Sequence, residues 1–178
     1  MTDENPDNPQ RRMGSTMIIA MWLVLFAILA YLFNNMLEEQ RNPNQQLQTI
    51  RHSDGVRELS LLRNDFGHYV ASGSINNHEV TFMLDTGASD VAIPEAIATD
   101  IGLSKGRPLT YQTANGKITV YATVLDEIAL GDIRLHQVRA TINPNFQGKE
   151  ILLGMSFLKH IEFTQRGNTL TLKQYPEN

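Results

Sequence analysis

Apolar positions along this chain follow two patterns. From Met17 to Phe33 every residue is apolar or aromatic, and no charge falls between Arg12 and Glu38. A helix rises about 1.5 Å per residue, so this run and its uncharged flanks can cross a hydrocarbon layer about 30 Å thick. The run is apolar on every face, unlike a soluble core helix with one apolar stripe. A cleaved leader is the competing reading. The run is longer than such leaders usually carry, and Ile28 before Ala30 breaks the small-x-small cleavage pattern, which favours an uncleaved anchor over 14–37. Arg11 and Arg12 precede the run, whereas Glu38, Glu39 and Arg41 follow it. The positive-inside rule then keeps a short tail, 1–13, in the cytoplasm and exports the remainder.

The second pattern begins near Arg57, where short apolar runs alternate with turn signals, as in an all-β domain over 57–178. The stretch between, 38–56, contains Asn42-Pro43-Asn44 and several Gln and predicts a polar linker. Strands are predicted at Glu58–Leu62 and His68–Ile75, then after an Asn76-Asn77 turn at His78–Asp85, where Val80, Phe82 and Leu84 share one face. Pro94–Ile101 predicts a short helix with Pro94 in its first turn and Gly102 just past its end. Leu109–Thr113 and Lys117–Val124 flank Ala114-Asn115-Gly116, and Asn-Gly between alternating strands is a strong hairpin signal. A second hairpin is predicted from Glu127–Ile133 and Arg134–Ile142 around Gly131-Asp132. Ile151–Leu153 reads as a strand buried on both faces. One helical turn is expected at Phe157–His160, and Ile161–Phe163 is expected to pair with Thr169–Leu172.

The strand ending at Leu84 runs into Asp85-Thr86-Gly87-Ala88-Ser89. A carboxylate at the end of an apolar strand either finds partners or shifts its ionisation, so Asp85 is the leading candidate for chemistry. The simpler alternative is an Asx-turn in which Asp85 caps the backbone.

The pattern apolar-apolar-Asp-Thr-Gly-Ala-Ser resembles the active-site turn of aspartic proteases, and Ala88 resembles the retroviral, retropepsin-like branch. Ile151-Leu152-Leu153-Gly154-Met155-Ser156-Phe157-Leu158 resembles the apolar-apolar-Gly segment that crosses behind the active-site loop in that family and leads into a short helix. The likeness runs from about Leu59 to Leu172, and more narrowly it is to the membrane-anchored, single-domain retropepsin-like proteases of bacteria. It implies an acid-protease-like closed β barrel with a short helix, preceded by one transmembrane helix. It assigns catalysis to Asp85, a hydroxyl network between two active-site loops to Thr86, close backbone approach to Gly87, and loop support to Ala88. The hairpin carrying Tyr111, Thr113, Ala114, Asn115 and Gly116 resembles the flap that closes over substrate, with an ordinary surface hairpin as the alternative.

An acid–base pair needs two carboxylates, and this chain has one Asp-Thr-Gly. The resemblance therefore implies a homodimer hydrolysing peptide bonds, with a peptide or protein as substrate. In a bacterium it would sit in the inner membrane through residues 17–33, with the protease domain periplasmic. A membrane-tethered peptide- or protein-binding module of the same fold, without catalysis, is the alternative.

Composition narrows the field. With 178 residues and 42% hydrophobic content the chain can bury one core, and a net charge of −4 without a basic stripe implies no nucleic-acid partner. There are no cysteines, which removes disulfides and thiol catalysis. His52, His68, His78, His136 and His160 are scattered without metal-ligand spacing, so no metal and no cofactor is expected. Ser89 and Ser156 lack a nucleophile elbow. Asp85 and Asp90 could be imagined as a glycosidase pair, but Asp90 lies at a turn with no reason to face Asp85.

Overall fold

The computed structural model describes residues 9–113 and 116–176. Chain contacts divide it into two compact units, Met1–Glu39 and Gln40–Asn178.

The first pattern folds as α1 (Pro9–Arg41), whose Met17–Arg41 portion is long and apolar enough to cross a membrane, a test that a signal sequence also passes. Its side chains from Met17 to Met36 are exposed, as befits a helix apolar on all faces. Residues 1–8 of the expected tail lie outside the described residues.

The rest of the chain is mostly β. In order it forms β1 (Thr49–Arg51), β2 (Arg57–Leu62), β3 (Val70–Ile75), β4 (His78–Leu84), β5 (Val91–Pro94), α2 (Glu95–Asp100), β6 (Pro108–Thr113), β7 (Gly116–Leu130), β8 (Ile133–Asn143), β9 (Ile151–Leu153), α3 (Met155–Leu158), β10 (Glu162–Arg166) and β11 (Thr169–Gln174). Seven strands form one sheet in the order β3-β4-β9-β5-β8-β7-β6, and β3 also meets β7 through Ser74↔Ala129 and Ile75↔Ile128. The other four form a second sheet in the order β1-β2-β11-β10. Period-2 alternation puts Leu59 and Leu61 of β2 and Leu170 and Leu172 of β11 into a core shared with Ile75, Phe82, Ile93, Ile128, Ile142, Ile151 and Phe157.

Turn chemistry holds at the turn between β3 and β4. Asn76 and Asn77 both take positive φ, 49° and 67°, in the turn joining β3 to β4, a conformation Asn tolerates better than most residues. Two expectations need correction. Lys117–Val124 and the Glu127–Leu130 part of the expected Glu127–Ile133 strand are not separate strands but belong to the single β7, while Ile133 opens β8. The partner of β7 changes from β6 to β8 with overlap at Tyr121, so the ladder never ends.

The stretch expected as a polar linker also holds more structure than its composition suggests. It contains β1 and two buried asparagines, Asn42 and Asn44. Asn44 donates from Nδ2 to the carbonyls of Leu62 (2.8 Å) and Val70 (2.6 Å) and accepts from Leu62 N–H at Oδ1 (2.7 Å). It thereby ties the end of β2 to the start of β3, one strand from each sheet. Asn42 supports it by accepting Asn44 N–H (3.0 Å) and donating to Ser72 Oγ (3.0 Å). Buried backbone groups must be satisfied, and here side-chain amides satisfy them.

Replacing Asn44 by Ala would take the side-chain partner from three backbone groups, the buried Val70 carbonyl and the part-buried Leu62 carbonyl and N–H. The expected cost is about 2–4 kcal/mol, measured by denaturant unfolding of the protein in detergent, while a substitution at exposed Gln46 should leave stability nearly unchanged.

Candidate active site

Strand β4 runs parallel to β9, with Phe82 opposite Ile151, Met83 opposite Leu152 and Leu84 opposite Leu153. Asp85 continues the ladder by donating its N–H to Leu153 O (3.2 Å). The chain then turns sharply: Ala88 N–H donates to Asp85 O (3.2 Å), and Gly87 N–H donates to Asp85 Oδ1 (2.8 Å). This is the Asx-turn the sequence allowed. It orients the carboxylate while leaving the side chain half-buried rather than interior, and among the described residues the second oxygen accepts no hydrogen bond. Thr86 and Gly87 are exposed. A Cβ at Gly87 would lie 3.1 Å from Asp85 Oδ1, so the backbone does approach the carboxylate closely here.

Behind the turn, Gly154 leaves space for no side chain: a Cβ would stand 2.3 Å from Asp90 O and 2.6 Å from Ala88 O. The first residues of α3 grip the same loop. Met155 N–H donates to Ala88 O (2.8 Å), Ser156 N–H to Ser89 O (3.0 Å), and Val91 N–H to Ser156 Oγ (2.9 Å). The apolar-apolar-Gly segment therefore lies against the Asp85 loop along its whole length.

On the loop's far limb, Asp90 is buried, only 2% exposed. Its Oδ1 accepts from Arg139 Nε (2.7 Å) on β8, and its Oδ2 accepts from the Tyr111 hydroxyl on β6. Burial, and then the Asp90 hydrogen bond, push the Tyr111 phenol up to about 12. The Asp90 hydrogen bond likewise raises the Arg139 guanidinium. Strands β6 and β7 form a hairpin in which Thr113 pairs with Gly116. Gly116 has φ 106°, a value that suits glycine alone. Ala114 and Asn115, named as flap residues by the sequence, lie outside the described residues.

Residues 71–160 match the family described as "gag-polyprotein putative aspartyl protease". The chain is 31% identical over 159 residues to an uncharacterized protein from the cobV 5′ region of Sinorhizobium sp, covering 83% of this chain and 68% of that one. It is 27% identical to an uncharacterized protein of Rickettsia prowazekii, with 88% and 70% covered. Among solved structures, a retropepsin-like aspartic protease from Rickettsia conorii superposes with a TM-score of 0.58 at 29% identity, over 72% of this chain and 96% of that one. The chain belongs to the retropepsin-like aspartic protease family.

Within this retropepsin-like fold, the structure brings Asp85, Thr86, Gly87 and Ala88 together in one tight turn clamped by Gly154 and α3. The Tyr111 hydroxyl is committed to Asp90. The sequence reading set Asp90 aside as a turn residue and passed over Arg139 altogether. The available signal was a carboxylate directly preceding the mostly buried strand Val91–Pro94, a position that calls for hydrogen-bond donors. Nothing in the sequence points to which of the chain's arginines that partner is.

Because the folded Tyr111 phenol holds its proton to about 12 rather than its ordinary 10.0, its contribution to stability is whole below pH 10 and is lost as pH rises toward 12. Wild-type protein should therefore lose stability more steeply between those limits than Tyr111→Phe, as measured by denaturant unfolding at a series of alkaline pH values.

Proposed function

We propose that this retropepsin-like protein is an aspartic endopeptidase whose working form is a twofold homodimer, with Asp85 of each copy forming the catalytic pair. The observation that carries this reading is the single Asp-Thr-Gly turn, clamped from behind and open in front. Exposure of Thr86 and Gly87 is what a loop awaiting its symmetric counterpart would present. Further support comes from β10, an edge strand with every residue exposed. Phe163 pairs with Leu172, whose side chain is fully buried, yet Phe163 itself is 40% exposed, an apolar residue on the core side of a strand that overhangs the core.

Two carboxylates in close contact cannot both ionise, so the pair shares one proton. The ionised Asp85 takes a proton from water as the water oxygen bonds to the peptide carbonyl carbon. The protonated one gives its proton to the carbonyl oxygen. Proton transfer to the nitrogen and breakage of the carbon–nitrogen bond then release both products. Gly87 N–H on Oδ1 fixes the carboxylate's direction throughout. Thr86 would link the two loops across the axis, and Ala88 would keep the turn compact. The β6–β7 hairpin with Tyr111, Thr113, Ala114, Asn115 and Gly116 would cover an extended peptide and pair with its main chain.

The apolar helix is read as an anchor over 14–37, with tail 1–13 cytoplasmic and the protease domain periplasmic. Confinement to a bilayer would raise the effective concentration of copies that pair weakly.

Asp85→Asn should lower kcat/KM on a cleaved peptide by at least about a thousandfold without lowering the unfolding temperature. Wild-type specific activity should fall on dilution as dimers separate. A peptide bound equally by both forms and cut by neither would favour the binding module, and activity independent of concentration would reject the shared pair. Carbonate washing of membranes should leave the protein in the pellet, and its release without detergent would count against the anchor.

A further inference from the structure

The Asp90 cluster has a role beyond holding the loop. Strand β8 pairs with β7 only from Tyr121 onward, so among the described residues the ladder partner of Gly116–Val120 is β6; Val120 is buried at the root, and Gly116–Thr119, more exposed, lie beyond it. This end of the hairpin overhangs the sheet as a two-stranded ribbon, a structure marginal by itself in water. Tyr111 sits within the overhang, opposite Ile118. Its hydroxyl reaches Asp90, whose own backbone neighbours are gripped by α3 through Ser89 O and Val91 N–H. The carboxylate therefore joins the rigid loop to the ribbon, and Arg139 on β8 occupies its other oxygen.

We propose that Asp90 is a positioning residue that pins the overhanging β6–β7 hairpin, through Tyr111, at a fixed approach to the loop carrying Asp85, with Arg139 holding the carboxylate in the receiving orientation.

Three features favour an anchor over a casual surface contact. The Asp90 side chain is only 1% exposed, so water does not replace a lost partner without rearrangement, and a bond to a buried carboxylate is stronger than one in solvent. Both oxygens are engaged by donors from different strands, which fixes the carboxylate plane. The ties nearer the hairpin's base, Gly106 N–H to Ala122 O (2.8 Å), Lys105 over the Tyr121 ring (4.7 Å) and the burial of Val120, hold its root. For catalysis, the anchor sets how close the hairpin lies to an extended peptide before binding. It thus bears on substrate affinity more than on the chemical step, a consequence that rests on the proteolytic reading.

The test is hydrogen exchange on the full-length protein in detergent, comparing wild type with Tyr111→Phe, which keeps the ring and removes one hydroxyl, and with Asp90→Asn as a second variant. Amides of Leu109–Gln112 and Lys117–Val120 should exchange about ten- to a hundredfold faster in Tyr111→Phe, while β3, β4 and β11 keep wild-type rates. KM for a cleaved peptide should rise about tenfold with kcat changed less than about threefold. Unchanged hairpin exchange in both variants would overturn the proposal, as would equal acceleration in every strand, which would mark a general packing defect. If the wild-type protein cleaves no peptide, the proteolytic reading fails, and the exchange result still decides whether the anchor exists.

Discussion

A hydrogen atom is all that fits at the Cα of Gly154, and much of the site's geometry follows from that restriction. With Asp90 O and Ala88 O crowded against it, the β9–α3 segment closes on the Asp85 turn at backbone contact distance. Four amide donations then become available between the two segments, three to carbonyls, among them Asp85 N–H to Leu153 O, and one from Val91 N–H to Ser156 Oγ. A turn of exposed and half-exposed residues is thereby held as firmly as a strand, although few of its own side chains are buried. Preorganisation of this kind suits a group that must present one carboxylate in one direction.

The same clamp explains why the loop can afford an open front. Strands β4 and β5, entering and leaving it, lie on either side of β9 in the seven-stranded sheet and bury Phe82, Val91 and Ile93 completely. Burial of such side chains is worth about 1.5–3 kcal/mol apiece, ample to support a turn that exposes Thr86 and Gly87.

Among the described residues, buried polar side chains are few, and the Tyr69 hydroxyl is the one buried polar side-chain atom without a hydrogen-bond partner. Asn44 joins one strand of each sheet, and Asp90 joins the active-site loop to β6 and β8. Both differ from the leucines of β2 and β11 in the kind of interaction they make. Their bonds are directional, so they set where elements lie relative to one another, whereas apolar packing sets mainly that they come together.

The division between what the chain states locally and what it leaves to folding is clear in particular residues. Sequence alone determined the apolar helix, the all-β character beyond Arg57, the turn at Asn76-Asn77 and the Asp85–Ala88 turn, because each is written in neighbouring residues by periodicity, turn chemistry or a short motif, whereas the partnership of that turn with Ile151–Gly154 was implied only by the family resemblance. It misjudged β7, where a change of partner keeps one strand going through a stretch that reads as a break, and it took the segment around Asn42 and Asn44 for a linker because polar composition carries no mark of the backbone groups it will satisfy. Only the tertiary structure decided that Asp90 meets Tyr111 and Arg139, which lie 21 and 49 residues away along the chain. A buried carboxylate announces that it needs donors, but which donors reach it depends on strand order and register, and those are settled by the packing of the whole core.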